Sequence, residues 1–413
     1  MKGRWYFLHI PKTAGTSFRV ALENRFALDE ICPHYELQPL MAAHRDRPQG
    51  WRLYRGHLGY NLVTLLPFSL RVVTVLRAPE ARLLSHFRHI ARDPHHPRHR
   101  LVAEEGMTLE DFLSDPELAR ELTNQQARQL GQGVPRDRLQ AMLAASDSQQ
   151  EFARRYRAAI PADEASDQAD LERALARLPD LALVGLAEEL PTTLARLARL
   201  LGGRPPRQVP HLNADPRGER PAFSRRLRSL VEQATWADRI LYEKARKLFH
   251  EGPPNGWPLP DTAVSPLETK ALEITFDQPL EGEGWHQREI LPGVGVIRWT
   301  GPGRRAELEL PLDPARGWSV ALEVVRWFDP RDPARLKLWL DDQPARALEA
   351  RPLEEGAGWL IQGRFEPRWQ GGAPRRLVIE TPAIHAEADD GRPGGGRRQL
   401  GVAVRAVRCR AVD

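Results

Sequence analysis

Two cysteines serve 413 residues, Cys32 near one end and Cys409 near the other. A pair so far apart is no disulfide framework, which excludes a small secreted scaffold held by cross-links. Long apolar runs are missing as well, with nothing approaching the ~20 residues a membrane-spanning helix needs. The start offers no leader either: Met1-Lys2-Gly3-Arg4 runs straight into a strand-like segment. The sequence therefore predicts a cytoplasmic protein. Lysine is scarce, only Lys2, Lys12, Lys244, Lys247, Lys270 and Lys337; the other 54 of the 60 basic residues (60 − 6) are arginine, a bias that points to a GC-rich bacterium. An excess of charge is lacking too. The 60 Lys and Arg face 55 Asp and Glu, leaving +5. A general polyanion binder is thereby excluded, and no nucleic-acid partner is expected.

One of the six lysines stands in an informative place. Trp5 to Ile10 is an apolar, aromatic run that reads as a buried strand. Pro11-Lys12-Thr13-Ala14-Gly15-Thr16-Ser17 follows as a loop of small residues, and from Phe18 the spacing turns helical, with Phe18, Ala21, Leu22 and Phe26 on one face. Strand, loop and helix in that order present backbone N–H groups and a helix N-terminus to a phosphate-like anion. In a chain that uses arginine nearly everywhere, Lys12 points to a need for a compact, mobile ammonium. A Walker A loop ends on its lysine; here the lysine opens the loop and the hydroxyls follow, which argues against an ordinary ATPase.

Two further segments end strands with polar side chains. Leu70–Leu76 reads as a buried strand running into Arg77, and Pro79 then opens a helix at a position where a missing N–H costs nothing. Leu83, Leu84, Phe87 and Ile90 form its core side. Arg77 and Ser85 offer the guanidinium and the short hydroxyl that a dianionic phosphate requires. Leu53-Tyr54-Arg55-Gly56-His57-Leu58-Gly59-Tyr60 carries a histidine. Together, and in this order, the three segments resemble the family 2 sulfotransferases, the group that contains heparan sulfate 2-O-sulfotransferase. Leu122–Leu130, with Asn124, Gln125 and Gln126, is similar to that family's Asn/Gln-rich cleft segment. The resemblance covers roughly residues 4–250.

It implies a P-loop-like parallel sheet with flanking helices and 3′-phosphoadenosine-5′-phosphosulfate as sulfuryl donor, with no metal. Lys12, Thr13, Ala14, Gly15, Thr16 and Ser17 would surround the 5′-phosphosulfate, and Arg77 with Ser85 the 3′-phosphate. His57 would be the general base, and Lys12 would neutralise the leaving oxygen. The acceptor would be a hydroxyl of a carbohydrate or other glycoconjugate. Two positions depart from the family: Ala78 stands where it has Asp, and Arg55 where heparan sulfate 2-O-sulfotransferase has a second His.

His86, His89, His95, His96 and His99 crowd together, interleaved with Arg88, Arg92, Arg98, Pro94 and Pro97. That mixture reads as an exposed basic helix end and loop, not a metal site. Residues 108–145 read as helices interrupted near Gly131–Pro135, and 146–170 as polar and irregular. Leu181–Leu186 is a third buried strand, Leu190–Leu201 a helix, and a long amphipathic helix runs from Leu227 to Leu248. By the resemblance, His211–Arg217 closes over the nucleotide. Pro253–Pro260 is a linker, after which the apolar period changes from 3.6 to 2, as at Leu308/Leu310 and Val402/Val404. A β-sandwich is the expected result, with a flexible Gly-rich loop at 386–398. Seven of the eleven Trp lie beyond residue 260, where indole faces either stack on sugars or fill a core.

The expected division is a sulfotransferase domain over 1–250, a Pro-rich linker over 251–266 and an accessory sandwich over 267–413 that holds a glycan acceptor or pairs protomers into a homo-oligomer. The alternatives are a nucleotide-dependent kinase, which the placement of Lys12 disfavours, and a non-catalytic glycan-binding protein, which His57 with Lys12 disfavours.

Overall fold

The structure, a computed structural model, describes residues 3–160, 163–203, 223–252, 270–327, 335–353, 358–367, 375–386 and 398–412. The loop His211–Arg217, the Pro-rich linker and most of 386–398 lie outside them.

Four parallel strands organise the first part: β1 (Arg4–Leu8), β2 (Leu53–Gly56), β3 (Leu70–Leu76) and β4 (Leu183–Leu186), side by side in the order β2-β1-β3-β4. They are mostly apolar, as expected of a parallel sheet covered on both faces; Trp5, Tyr6, Phe7 and Leu8 are all fully buried. After β1 the chain heads toward β2, and after β3 toward β4. The loops following β1 and β3 therefore diverge, leaving a crevice beyond the carboxyl ends of those two strands. The loop after β1, Arg77 after β3 and His57 after β2 all come to that edge. The loop runs into helix α1 (Gly15–Glu23).

Helices Leu109–Ser114, Pro116–Leu122, Gln125–Gly131 and Arg136–Ala144 fill the interval after Pro79–Arg92. The expectation of irregular chain over 146–170 is corrected. Helices Gln149–Ala159 and Glu164–Arg177 occupy it, their first turns capped by the Ser148 hydroxyl and the Asp163 carboxylate. Phe152, Leu171 and Ala174 enter the main core, so the polar residues are simply the outer faces. Helix Arg225–Glu251 closes this part. Asn124, in the left-handed conformation (φ 46°), ties it down: its N–H donates to Ala234 O (2.9 Å) and its Oδ1 accepts from the N–H of Ala237 (3.1 Å).

The chain divides into two compact units. Met1–Arg19, Asp29–Leu200 and Ala214–Leu259 bound the first; Val20–Leu28, Leu201–Asn213 and Pro260–Asp413 bound the second. In the second, a seven-stranded and a five-stranded antiparallel sheet share one core. Gly317–Trp327 lies between Trp359–Phe365 and Val402–Val412 in the larger sheet, and Arg375–Glu380 between Lys337–Leu340 and Arg305–Leu310 in the smaller. Val320, Leu322 and Val407 from one sheet meet Leu308, Leu338 and Ile379 from the other. Trp285, Trp299 and Trp318 are buried, so these indoles fill the interior rather than offer a sugar platform.

The second unit includes the last turn of α1. Within it, Leu28 N–H donates to Asp277 O (2.7 Å), Leu280 N–H to Asn24 O (2.7 Å) and Arg288 Nη2 to Phe26 O (2.7 Å), and Arg25 forms an ion pair with Glu281. A chain ending at Gly252 would strip residues 24–28 of these partners, leaving backbone groups unsatisfied. Such a chain is expected to melt at a lower temperature than the full protein; equal melting by calorimetry would show these bonds to be dispensable. Among the described residues, no helix is long and apolar enough to cross a membrane.

Candidate functional site

The loop after β1 is held in an unusual backbone shape. Lys12 (φ 70°) and Ala14 (φ 62°) are both left-handed, flanking Thr13. Alternation of hand along a short segment turns successive N–H groups toward one concavity, which suits an anion; non-glycine residues in this region persist only where neighbours enforce them. Here the enforcing bond comes from Thr13, fully buried, whose Oγ1 donates to Ile10 O (2.9 Å). With its hydrogen given to Ile10 O, the Thr13 hydroxyl is committed within the loop, and its donor to a ligand is the backbone N–H. Ser17 is buried in the first turn of α1, and Thr16 and Lys12 are half-buried. Gly15 has a steric reason. A Cβ there would run into the His9 imidazole.

Arg77 leans across the crevice, its Nη1 donating to Lys12 O (3.1 Å). Its peptide is gripped from both sides by the fully buried Gln126, whose Oε1 accepts from Arg77 N–H (2.8 Å) while Nε2 donates to Arg77 O (2.9 Å). Beside it, Ala78 N–H donates to Glu188 Oε1 (2.9 Å), and Glu188 Oε2 accepts from Tyr242 Oη (2.9 Å). Where the resembling family places an Asp in the chain itself, this protein brings a carboxylate from the end of β4. Sequence reading missed both clamps; Glu188 had one cue, its place just past a strand that ends at the same edge. Ser85 is half-buried on helix Pro79–Arg92, one and two turns before His89 and Arg92 on the same face.

Charge accumulates here. Burial pushes the Lys12 ammonium down to about 8, and Arg92 and Arg77 push the same way, with only Asp93 opposing. Three cations gathered at one crevice repel one another until an anion joins them.

His57 lies past the end of β2 with an edge open to solvent. Its Nδ1 is 2.7 Å from His9 O. A carbonyl only accepts, so Nδ1 carries the hydrogen and Nε2 the lone pair. Crowding by the protein lowers its pKa below the ordinary 6.5, with Arg19 and Lys12 adding and the His9 carbonyl opposing. His57 is thus neutral at pH 7. Arg55 is buried and committed to the fold: Nη2 donates to Tyr35 Oη (2.6 Å), Nη1 bonds Cys32 O, and the guanidinium lies 4.2 Å from the Tyr35 ring centroid.

For a reaction that used His57 as base and the Lys12 ammonium as countercharge, these groups would set the pH profile. A base whose pKa is lowered keeps its lone pair to below pH 6.5, so the acid limb should fall there; the alkaline limb should fall near the Lys12 value of about 8, where the ammonium loses its charge. An anionic ligand bound at Lys12 would raise the alkaline limb in kcat relative to kcat/KM. Rate measurements from pH 5 to 9 test this; an acid limb above 6.5 would contradict it.

The histidine cluster is only in part the exposed basic helix end and loop that the sequence implied: Arg92 and His95 are exposed, while His86, His89, His96 and His99 are half-buried. His86, His96 and Glu121 gather with ligand atoms within 4.8 Å of one another, all half-buried. Hydrogen bonding argues against a metal among them. Arg82 Nη1 lies 3.4 Å from His86 Nδ1, and Arg98 N–H donates to His96 Nδ1 (3.2 Å). Backbone amide and guanidinium are donors only, so both Nδ1 atoms accept and both Nε2 atoms carry the hydrogen. Metal-ligating histidines have the reverse arrangement, donating from the far nitrogen to an acceptor. Instead His96 Nε2 meets Glu121 Oε1 at 3.0 Å, and His99 Nδ1 meets Ile90 O at 3.1 Å. His86 is driven down to about 2, chiefly by burial and then by Arg82, so it is neutral.

No protein-family model matches the sequence, and no curated protein matches it. Among solved structures, the chain is similar to a family GH115 4-O-methyl-alpha-glucuronidase, BtGH115A, with specificity for decorated arabinogalactans. Identity is 12%, the TM-score is 0.22, and the match covers 92% of this chain but spans only 49% of that one. So low a score carries no argument about fold or function.

Proposed function

We propose that this chain is a sulfotransferase that moves a sulfuryl group from 3′-phosphoadenosine-5′-phosphosulfate to a hydroxyl of a carbohydrate or glycoconjugate, on a P-loop-like sulfotransferase fold. The observation that carries the proposal is the gathering of Lys12, Arg77 and Arg92 around a left-handed loop, at the crevice edge where a neutral His57 opens to solvent. A polyanionic donor relieves that repulsion, and a neutral imidazole with its lone pair on Nε2 is ready to accept a proton.

In this reading, the loop N–H groups from Thr13 to Ser17 bind the 5′-phosphosulfate and Arg77 with Ser85 binds the 3′-phosphate, which selects this donor over ATP. His57 Nε2 takes the acceptor's hydroxyl proton as the new O–S bond forms and the S–O bond to the nucleotide breaks. The Lys12 ammonium stabilises the negative charge developing on the departing phosphate oxygen. Lys12 and Arg77 supply the countercharge without a metal, since a sulfuryl group carries less charge than a phosphoryl group. The second unit, with its two sheets, would serve acceptor binding or protomer pairing.

Calorimetry tests the donor site. Adenosine 3′,5′-bisphosphate should bind far more tightly than adenosine 5′-phosphate, and Arg77→Ala should erase about 1.5–3 kcal/mol of that preference, the usual worth of a charged hydrogen-bonding partner. Equal affinity of the parent for both nucleotides would overturn the assignment.

A further inference from the structure

The His9 side chain takes part in no step of the proposed reaction, yet its ring packs against two others. It stacks on Phe7 from β1 (centroids 4.9 Å apart, planes at 15°) and packs at a tilt against His57 (4.4 Å, 34°). Phe7 in turn meets Phe18 of α1 at 4.7 Å. Four rings thus form a ladder from the core side of α1, across the first strand, to the imidazole at the rim. Gly15 leaves room for the ring, because any Cβ there would occupy the His9 ring position. The His9 carbonyl meanwhile accepts the His57 Nδ1 hydrogen at 2.7 Å. One residue therefore fixes both which nitrogen of His57 bears hydrogen and the plane in which the other nitrogen points.

We propose that His9 is a positioning residue for His57, acting through its stacked ring and carbonyl and not through its own acid–base chemistry. Burial, His57, Arg19 and Lys12 all hold the His9 imidazole neutral, so its nitrogens are not needed as charged groups. What the stack requires is a flat ring of this size. Phenylalanine supplies that, and leucine does not. The consequence for turnover rests on the reading of His57 as base; the control over its tautomer does not.

Proton–nitrogen NMR of histidine-labelled full-length protein reads the effect directly, with the His57 signal assigned by its loss in His57→Ala. The parent should show the Nδ1–H tautomer and a titration midpoint below 6.5. The groups facing His57 are His9 and Lys12 from the loop and Arg19 from α1, and none changes charge between pH 5 and 7 in this reading. His9→Leu should admit water, raise the midpoint toward 6.5 and reveal the second tautomer. His9→Phe should keep the parent's signal. Gly15→Ala, whose Cβ would meet the His9 ring first and displace it, should act like His9→Leu and serves as the second probe if the leucine variant does not fold. A parent-like His57 signal in His9→Leu or Gly15→Ala would overturn the proposal, as would a His9→Phe signal indistinguishable from His9→Leu. The bisphosphate calorimetry stands apart: equal nucleotide affinities there would reject the donor site and leave this result untouched.

Discussion

Turnover should fall about 10²–10⁴-fold in His57→Ala, the usual loss when a positioned general base is removed, while adenosine 3′,5′-bisphosphate binds as in the parent. The separation follows from the geometry. The cations assigned to the nucleotide in the proposed reading are Lys12, Arg77 and Arg92, anchored by the loop, by Gln126 and by helix Pro79–Arg92. His57 hangs from β2 and is held by the His9 ring and carbonyl, not by bonds to those cations. Removing its side chain takes away the proton acceptor and leaves the anion loop pinned by Thr13. Labelled-sulfate transfer and calorimetry on the same preparation check both halves. Near-parental turnover would send the base role to another residue, and a collapse of nucleotide affinity would make His57 structural.

Asp238→Ala is expected to destabilise the fold by about 3–5 kcal/mol, the penalty for leaving a buried charge without its partner. Asp238 and Arg82 are both completely buried, with Nε and Oδ2 3.8 Å apart. Burial raises the Asp238 pKa and lowers that of Arg82, and each charge opposes the shift of the other. Asp238 Oδ1 also accepts from Ala127 N–H (2.8 Å), next to the Gln126 that clamps Arg77, so nucleotide affinity should weaken alongside stability. Denaturant titration measures the first effect. Arg246→Ala, which removes an exposed pair with Glu243, should leave the midpoint unmoved. An Asp238→Ala midpoint equal to the parent's would show that the pair contributes nothing.

The sheet edge was legible because each of its segments carried a local signal. Leu70–Leu76 was bounded to the residue by its apolar run and by Pro79, and Phe18, Leu22 and Phe26 did turn to the core. The helices at 149–159 and 164–177 were missed because their surfaces are charged, although Ser148-x-x-Glu151 is a capping signature that hydropathy alone does not register. The partners of the site residues were illegible for a different reason. Gln126 reaches Arg77 across 49 residues and Glu188 reaches Ala78 across 110, contacts that only the strand order creates. His9 fell inside the Trp5–Ile10 run and read as strand, since its packing against His57 depends on β1 and β2 being neighbours. The membership of residues 20–28 in the second unit likewise depends on pairings far along the chain.

The most direct test is sulfate transfer itself. Full-length protein, 3′-phosphoadenosine-5′-phosphosulfate labelled in the sulfate, and a glycan extract of the source organism are combined in the presence of a metal chelator. The expected result is label in the glycan fraction with stoichiometric release of adenosine 3′,5′-bisphosphate, lost in His57→Ala and strongly reduced in Lys12→Ala. Phosphate transfer from ATP with Mg²⁺, or tight glycan binding without any release of the bisphosphate, would contradict it.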